Sequence, residues 1–315
     1  MTATLNLLKQ PWVWAWVGAL GVWGATAAFT GGQGAGEVLR AALTFGAFYV
    51  IVALGQMFVV TLGPGNVDLS IPACMTLAGT VAMKTMAGAA AMIPVGLLIA
   101  LGIGLVVGTV NYALIRLLRI PPIIATLSSS FIYQSAAIWW NRGLRVKPPA
   151  ALADFTTAKI AGVPVIALCV AVLAVAGHVL LTRTLYGRGV VAIGQNPRAA
   201  HLAGVGVERI RAATYILSAT LAGLCGYLLA GFSGGAALNM GEEYLLSSIA
   251  VVVIGGTSVA GGFANVPGLW GAALFLFLLV TMLNTFGAGA GVRMVLTGLI
   301  IIGVIVAASG TRRRT

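Results

Sequence analysis

Apolar runs of about twenty residues follow one another along this chain, with only short polar segments between them. IPVGLLIALGIGLVVGTVNYAL, residues 93–114, carries no charge at all. A helix of roughly 20 such residues crosses the hydrocarbon core of a bilayer. Of 315 residues, 60% are hydrophobic and 8% charged, whereas a soluble domain is about a quarter charged. So few charges cannot cover that much apolar surface, so the solvent is lipid. Lipid offers backbone groups no hydrogen bonds, which leaves helices as the means of crossing. The expected fold is therefore all-α: a polytopic membrane bundle forming a single domain over residues 1–315.

Ten spans are predicted, at 12–29, about 41–62, 69–86, 92–115, 121–140, 164–182, 212–232, about 244–260, about 266–286 and 292–309. Trp12, Trp14 and Trp16 form an interfacial aromatic cluster at the first. Ala25-Thr26-Ala27 has the small-residue pattern of a signal-peptidase site, but the run before it is longer than a signal core, so it is expected to stay.

An even count puts both ends on one side, and basic residues choose the side. Lys9, Arg116, Arg119, the five arginines of 182–211 and the terminal TRRRT share a face by parity, which is expected to be cytoplasmic. Arg40, Lys84, Arg142, Arg145, Lys147, Lys159 and Arg293 fall opposite. The net charge of +12 then reflects topology and anionic headgroups, and no nucleic-acid partner is expected. Forty-three glycines, in runs such as GIGLVVG (102–108) and ATLAGLCG (219–226), let helix backbones approach closely.

Enzyme chemistry is missing. Cys74, Cys169 and Cys225 are isolated in apolar runs, and His178 and His201 have no metal partner at a useful spacing. No Gly-x-x-x-x-Gly-Lys-Ser/Thr loop exists to cradle a nucleotide. Asp68 is the only acid well inside a membrane segment, which argues against a proton-driven carrier and leaves an ion-coupled secondary transporter as the alternative class.

The sharpest interruption is TLGPGNVDLSIPACM, residues 61–75. Gly63, Pro64 and Gly65 stop one helix, and Pro72 falls in the first turns of the next, where its missing donor costs little. An ionised Asp in hydrocarbon costs roughly 2.5–3.5 kcal/mol on insertion scales. Asp68 is therefore expected to face protein or water and to accept from free amides at the start of the third span. A second interruption, VVVIGGTSVAGG (251–262), places Thr257 and Ser258 between glycine pairs. By parity the two breaks lie in halves of opposite direction, spans 2–5 and 7–10. Such an inverted repeat with paired breaks points to a transport path. Asn66, Asp68, Ser70, Thr257, Ser258 and Asn284 are the candidate pathway residues.

The most polar segment is 182–211. Within it Gly194-Gln195-Asn196-Pro197 reads as a helix entry, with Asn196 as cap and Pro197 in the first turn. A short helix over 197–203, stopped by Gly204, would present Arg198 and His201. From the residues alone this is either a docking helix or a basic loop that enforces topology.

Three stretches, in order, resemble the permease subunits of bacterial ATP-binding-cassette sugar importers of the ribose type. They are GPGNVDLSIPACMTLAG, RIPPIIATL (119–127), and GRGVVAIGQNPRAAHLAGVGVERIR followed by EEYLLSSIAVVVIGGTSVAGGFANVPG. The resemblance implies an inner-membrane permease paired with a second, identical or related permease subunit. It also implies a periplasmic binding protein and a cytoplasmic ATPase, which holds the ATP and Mg²⁺ while this chain holds no cofactor. Gly194, Asn196, Pro197, Arg198, His201 and Gly204 would then form the ATPase-coupling segment. The cargo implied is a monosaccharide, with nucleosides or branched-chain amino acids as alternatives. Where the family has a second glycine in the opening motif, this chain has Pro64-Gly65-Asn66.

Overall fold

Proline and glycine decide where the apolar runs become helices. The computed structural model describes residues 11–141 and 146–287, with isolated positions from 289 to 303. The helices are α1 (Pro11–Phe29), α2 (Ala35–Thr61), α3 (Ile71–Met86), α4 (Ile93–Leu117), α5 (Pro122–Trp140), α6 (Ala150–Thr157), α7 (Val165–Arg183), α8 (Leu185–Gln195), α9 (Pro197–Leu202), α10 (Val207–Phe232), α11 (Tyr244–Ile254) and α12 (Pro267–Thr285). Proline occupies one of the first two helical positions of α3, α4, α5, α9 and α12, where no intrahelical donor is lost. A two-residue antiparallel pair, β1 (Lys159–Ile160) and β2 (Val163–Pro164), follows α6.

Several boundaries move from those predicted. The second span begins at Ala35, which draws Glu37 and Arg40 into its first turns as an i,i+3 ion pair at 3.4 Å. The seventh begins at Val207, and the eighth ends early at Ile254. The tenth predicted span has only isolated positions among the described residues, and Lys9, Arg142, Arg145, Arg293 and TRRRT lie outside them. Six described stretches are long and apolar enough to cross a membrane: α1, α2, α4 with its preceding turn, α7, α10 and α12. The chain is thus an all-α, polytopic integral membrane protein. Leu98, Leu105 and Val106 on α4, Phe131 and Ile132 on α5, and Val172 and Val175 on α7 are all exposed. An outward apolar belt of this kind is stable only against lipid.

Two helices form the centre. Every residue of α2 from Val50 to Thr61 is buried, and such all-round burial explains why that stretch shows no polar face. Beside it, α10 packs on α2, α3 and α4; α11 and α12 pack on the other side of α2; α1 covers α12, α5 covers α3, and α7 lies on α2. Lipid tails are as apolar as leucine, so these contacts depend on backbone proximity more than on exclusion of water. The glycines supply that proximity. A Cβ on Gly108 would lie 2.5 Å from Ile216 Cα, one on Gly104 2.5 Å from Thr220 Cα, and one on Gly55 2.9 Å from Ser218 Cα.

Candidate functional site

The first break begins where α2 runs out of residues that can hold a helix. Gly63 (φ 119°) and Gly65 (φ 77°) adopt left-handed conformations that favour glycine. Asn66 closes the turn, its backbone N donating to the Gly63 carbonyl at 3.3 Å and its Nδ2 to the same oxygen at 3.1 Å. Tyr215 OH on α10 donates to Asn66 Oδ1 at 3.1 Å.

Asp68 is 1% exposed, and both its oxygens are engaged by the protein. Oδ1 accepts from Ser70 N (3.0 Å) and Ser70 Oγ (2.6 Å), and Oδ2 accepts from Ser218 Oγ (2.9 Å). The expectation that this carboxylate faces protein and accepts an amide at the start of α3 is met. Its own amide donates to Gln56 Oε1 at 3.2 Å.

Around Asp68 lies a polar cluster that local sequence did not single out. Asn111 Nδ2 donates to Ser70 Oγ at 2.7 Å. Asn111 Oδ1 accepts from Ser129 Oγ at 2.7 Å and Tyr133 OH at 3.0 Å, and Leu69 N donates to Thr126 Oγ1 at 3.1 Å. Buried polar groups without partners are costly in lipid, so the network fixes α3, α4, α5 and α10 in one arrangement around the break. The available signal was the lone Gln56, Asn111 and Ser218 in otherwise apolar or small-residue runs.

The second break follows α11, which spans only 11 residues. Thr257 and Ser258 are buried; Thr257 Oγ1 accepts from Asn265 N at 3.3 Å, and Ser258 N donates to the Phe263 carbonyl at 3.0 Å. Gly256, Gly261 and Gly262 have φ of 92°, 82° and 72°. The two breaks touch, because Gly262 N donates to the Thr61 carbonyl at 2.9 Å. Five of the six predicted pathway residues thus belong to two breaks that meet at the Thr61–Gly262 contact. Asn284 is not among them: it is exposed near the far end of α12, roughly 25 Å along the helix from Pro267.

The polar segment builds two helices before α10. Thr184 Oγ1 accepts from Gly187 N at 3.1 Å and caps α8. Asn196 Oδ1 accepts from Arg198 N and Ala199 N, both at 3.0 Å, with Pro197 as the first residue of α9. The expected cap, proline and short helix are all present, and Gly204 turns the chain with φ 85°. Arg198 and His201 are exposed, and Leu202 is 87% exposed. Inward, Val190 and Ile193 are fully buried. Tyr186 OH meets Thr214 Oγ1 at 2.9 Å, and burial pushes that phenol up to about 12, so it stays neutral.

Beside α9 an open concavity of about 900 Å³ is lined by Arg116, Arg198, His201, Glu208, Arg209 and Arg211, among others. Glu208 is a hub that sequence reasoning missed. Arg116 Nε approaches its Oε2 at 2.8 Å, Arg211 Nη1 its Oε1 at 3.9 Å, and Tyr112 OH donates to Oε2 at 2.5 Å. Arg198 and Arg209 have no ion-pair partner among the described residues, so the concavity presents net positive charge. A surface of this kind complements negative charge.

Residues 38–305 match the family described as branched-chain amino acid transport system / permease component. Relatives include the autoinducer 2 import system permease protein LsrC of Enterobacter sp. (strain 638), 29% identical over 96% of this chain and 87% of that protein. The "Probable ABC transporter permease protein y4mJ" of Sinorhizobium fredii is 31% identical over 85% of this chain and 80% of its own length. The LsrC protein of Salmonella typhimurium is 30% identical over 82% of this chain and 74% of its own. No solved structure matches.

Proposed function

The chain belongs to the branched-chain amino acid transport system permease family, and from that premise we propose that it forms the membrane path of an ATP-driven importer for a neutral, monosaccharide-like solute. The observation that carries this is the meeting of two helix breaks with the polar segment. Broken helices from opposed halves are where transporters bind and release cargo.

Ten spans complete the bundle, with residues 292–309 as the last and both termini cytoplasmic. Spans 2–5 and 7–10 are related by an inverted repeat. Support comes from the packing, since α3 lies against α10 as α11 lies against α2. The membrane is a bacterial inner membrane. A second permease subunit, identical or related, completes the path, and a periplasmic binding protein supplies affinity and delivers the solute.

ATP hydrolysis belongs to a cytoplasmic ATPase, with its Mg²⁺, which docks at α9 and the basic concavity through Arg198, His201 and Gly204. Asn66, Thr257 and Ser258 contribute amide and hydroxyl groups to the path. Both Asp68 oxygens accept from serines of the protein, and the Ser70 hydroxyl is held between Asp68 and Asn111, so Asp68 and Ser70 fasten the break and do not contact the cargo. A zwitterionic amino acid would need a countercharge in the path, and these three groups supply none. That favours a neutral polyol.

The test is co-purification of the chain with an ATPase and a binding protein, followed by a screen of pentoses, hexoses, nucleosides and branched-chain amino acids for binding-protein-dependent ATP hydrolysis. Stimulation by a neutral sugar supports the assignment, and stimulation only by an amino acid refutes the cargo class.

A further inference from the structure

Gly194, in the last turn of α8, occupies a point where three parts of the chain meet. A Cβ there would collide with the Thr61 carbonyl at the end of α2 and with the Gly262 amide in the second break. Those two groups are hydrogen-bonded to each other. On either side the contacts continue: a Cβ on Gly261 would strike Gly63 Cα, and one on Gly262 would lie 2.6 Å from Gln195 Cγ. Gln195 Nε2 also donates to the Gly262 carbonyl at 3.4 Å. By contrast, Gly204 has open space and Gly206 only ordinary contacts. The tight fit therefore belongs to this junction and not to the polar segment as a whole.

From this geometry we infer that Gly194 is a positioning residue through which α8 moves both breaks together. The inference rests on the importer function. Asn196 ends α8 and begins α9, so a force on the docking helix reaches Gly194 within one turn. Thr61 carries one of the carbonyls left open at a helix C-terminus, and the Gly262 amide satisfies it. With Gly194 backbone against both partners, α8 cannot shift without displacing that pair. The arrangement places the two breaks and the docking segment in one unit, where separate loops would move independently. Packed contacts of this kind pass displacement between discrete arrangements.

The experiment uses the complete transporter with its ATPase and binding protein in lipid nanodiscs. In a Cys169→Ser background, spin labels are placed on cysteines at Leu185 of α8 and Val259, or at Leu185 and Leu246, all of which are exposed. Between the nucleotide-free and ATP-trapped states, the Leu185–Val259 distance is expected to stay constant while Leu185–Leu246 changes. A Leu185–Val259 distance that changes as much as Leu185–Leu246 overturns the inference. Independently, Gly194→Ala should lower solute uptake per ATP hydrolysed by roughly tenfold or more. Gly206→Ala should leave that ratio unchanged. An unchanged ratio in Gly194→Ala also overturns the role. If that variant fails to fold, the label distances decide. A wild-type chain that retains no ATPase refutes the importer function itself, a result distinct from either of these.

Discussion

Ser218 Oγ donates to Asp68 Oδ2 at 2.9 Å, tying α10 to the carboxylate that follows the first break. With Ser70 N and Oγ on the other oxygen, the carboxylate holds the start of α3 against a helix far away in sequence. Hydrogen bonds to a charged group contribute roughly 1.5–3 kcal/mol, and buried donors left unpaired cost about as much. Asp68→Ala is therefore expected to destabilise the protein by about 2–3 kcal/mol. Asp68→Asn, which retains an acceptor, should cost about 1 kcal/mol and leave solute preference unaltered. Thermal denaturation in detergent, read beside the solute profile of ATP hydrolysis, separates the outcomes. A changed solute preference in an intact Asp68→Asn complex would place Asp68 in the path after all.

The seam between α4 and α10 makes a second test. Gly108 faces the Ile216 backbone with no room for a methyl group, whereas Gly102 on the same helix faces open space. Gly108→Ala should cost about 1–3 kcal/mol as an overpacked contact. Gly102→Ala should be neutral or stabilising by up to about 1 kcal/mol, the difference in helix propensity. Equal effects at the two sites, measured by melting temperature, would show that helix proximity is not what these glycines provide.

How much of this was legible in sequence depends on the range of the interactions involved. Asn196, Pro197 and Gly204 could be read directly, because capping and turning are settled within three or four residues. The breaks could be read for the same reason, from Gly63-Pro64-Gly65 and the glycine pairs of 255–262. The partners of Asp68 could not. Ser218 and Asn111 stand one to a helix, and what unites them is tertiary packing with no local period. Asn284 is a polar residue in an apolar run, and the length of α12 separates it from the break that precedes Pro267. Glu208 escaped notice because its nearer partners Arg116 and Tyr112 lie on α4, and Arg211 three residues on is an ordinary helix pair.

Docking at α9 predicts that Arg198→Ala and His201→Ala weaken ATPase binding without affecting insertion or folding. Exposed interface residues that matter contribute about 1–2 kcal/mol each, so each change should weaken binding roughly tenfold. Quantitative pull-down from membranes reads this directly. Retention of full binding and stimulated hydrolysis in the double variant would move the docking site elsewhere.

The Glu208 hub is expected to contribute less. Its side chain is 48% exposed and that of Arg116 56%, so solvent screens the pair. Glu208→Ala should cost no more than about 1 kcal/mol, and the loss should shrink in high salt. A larger, salt-independent loss would identify the Tyr112 hydrogen bond as the dominant contact.

Passage of a neutral solute at the expense of ATP hydrolysed by a partner is tested by uptake of radiolabelled sugar into proteoliposomes holding the chain and its ATPase, with binding protein outside and ATP inside. The expected result is accumulation that requires both ATP and binding protein and persists when ionophores dissipate ion gradients. Uptake by the chain alone, driven by a proton or sodium gradient and indifferent to ATP, would contradict it.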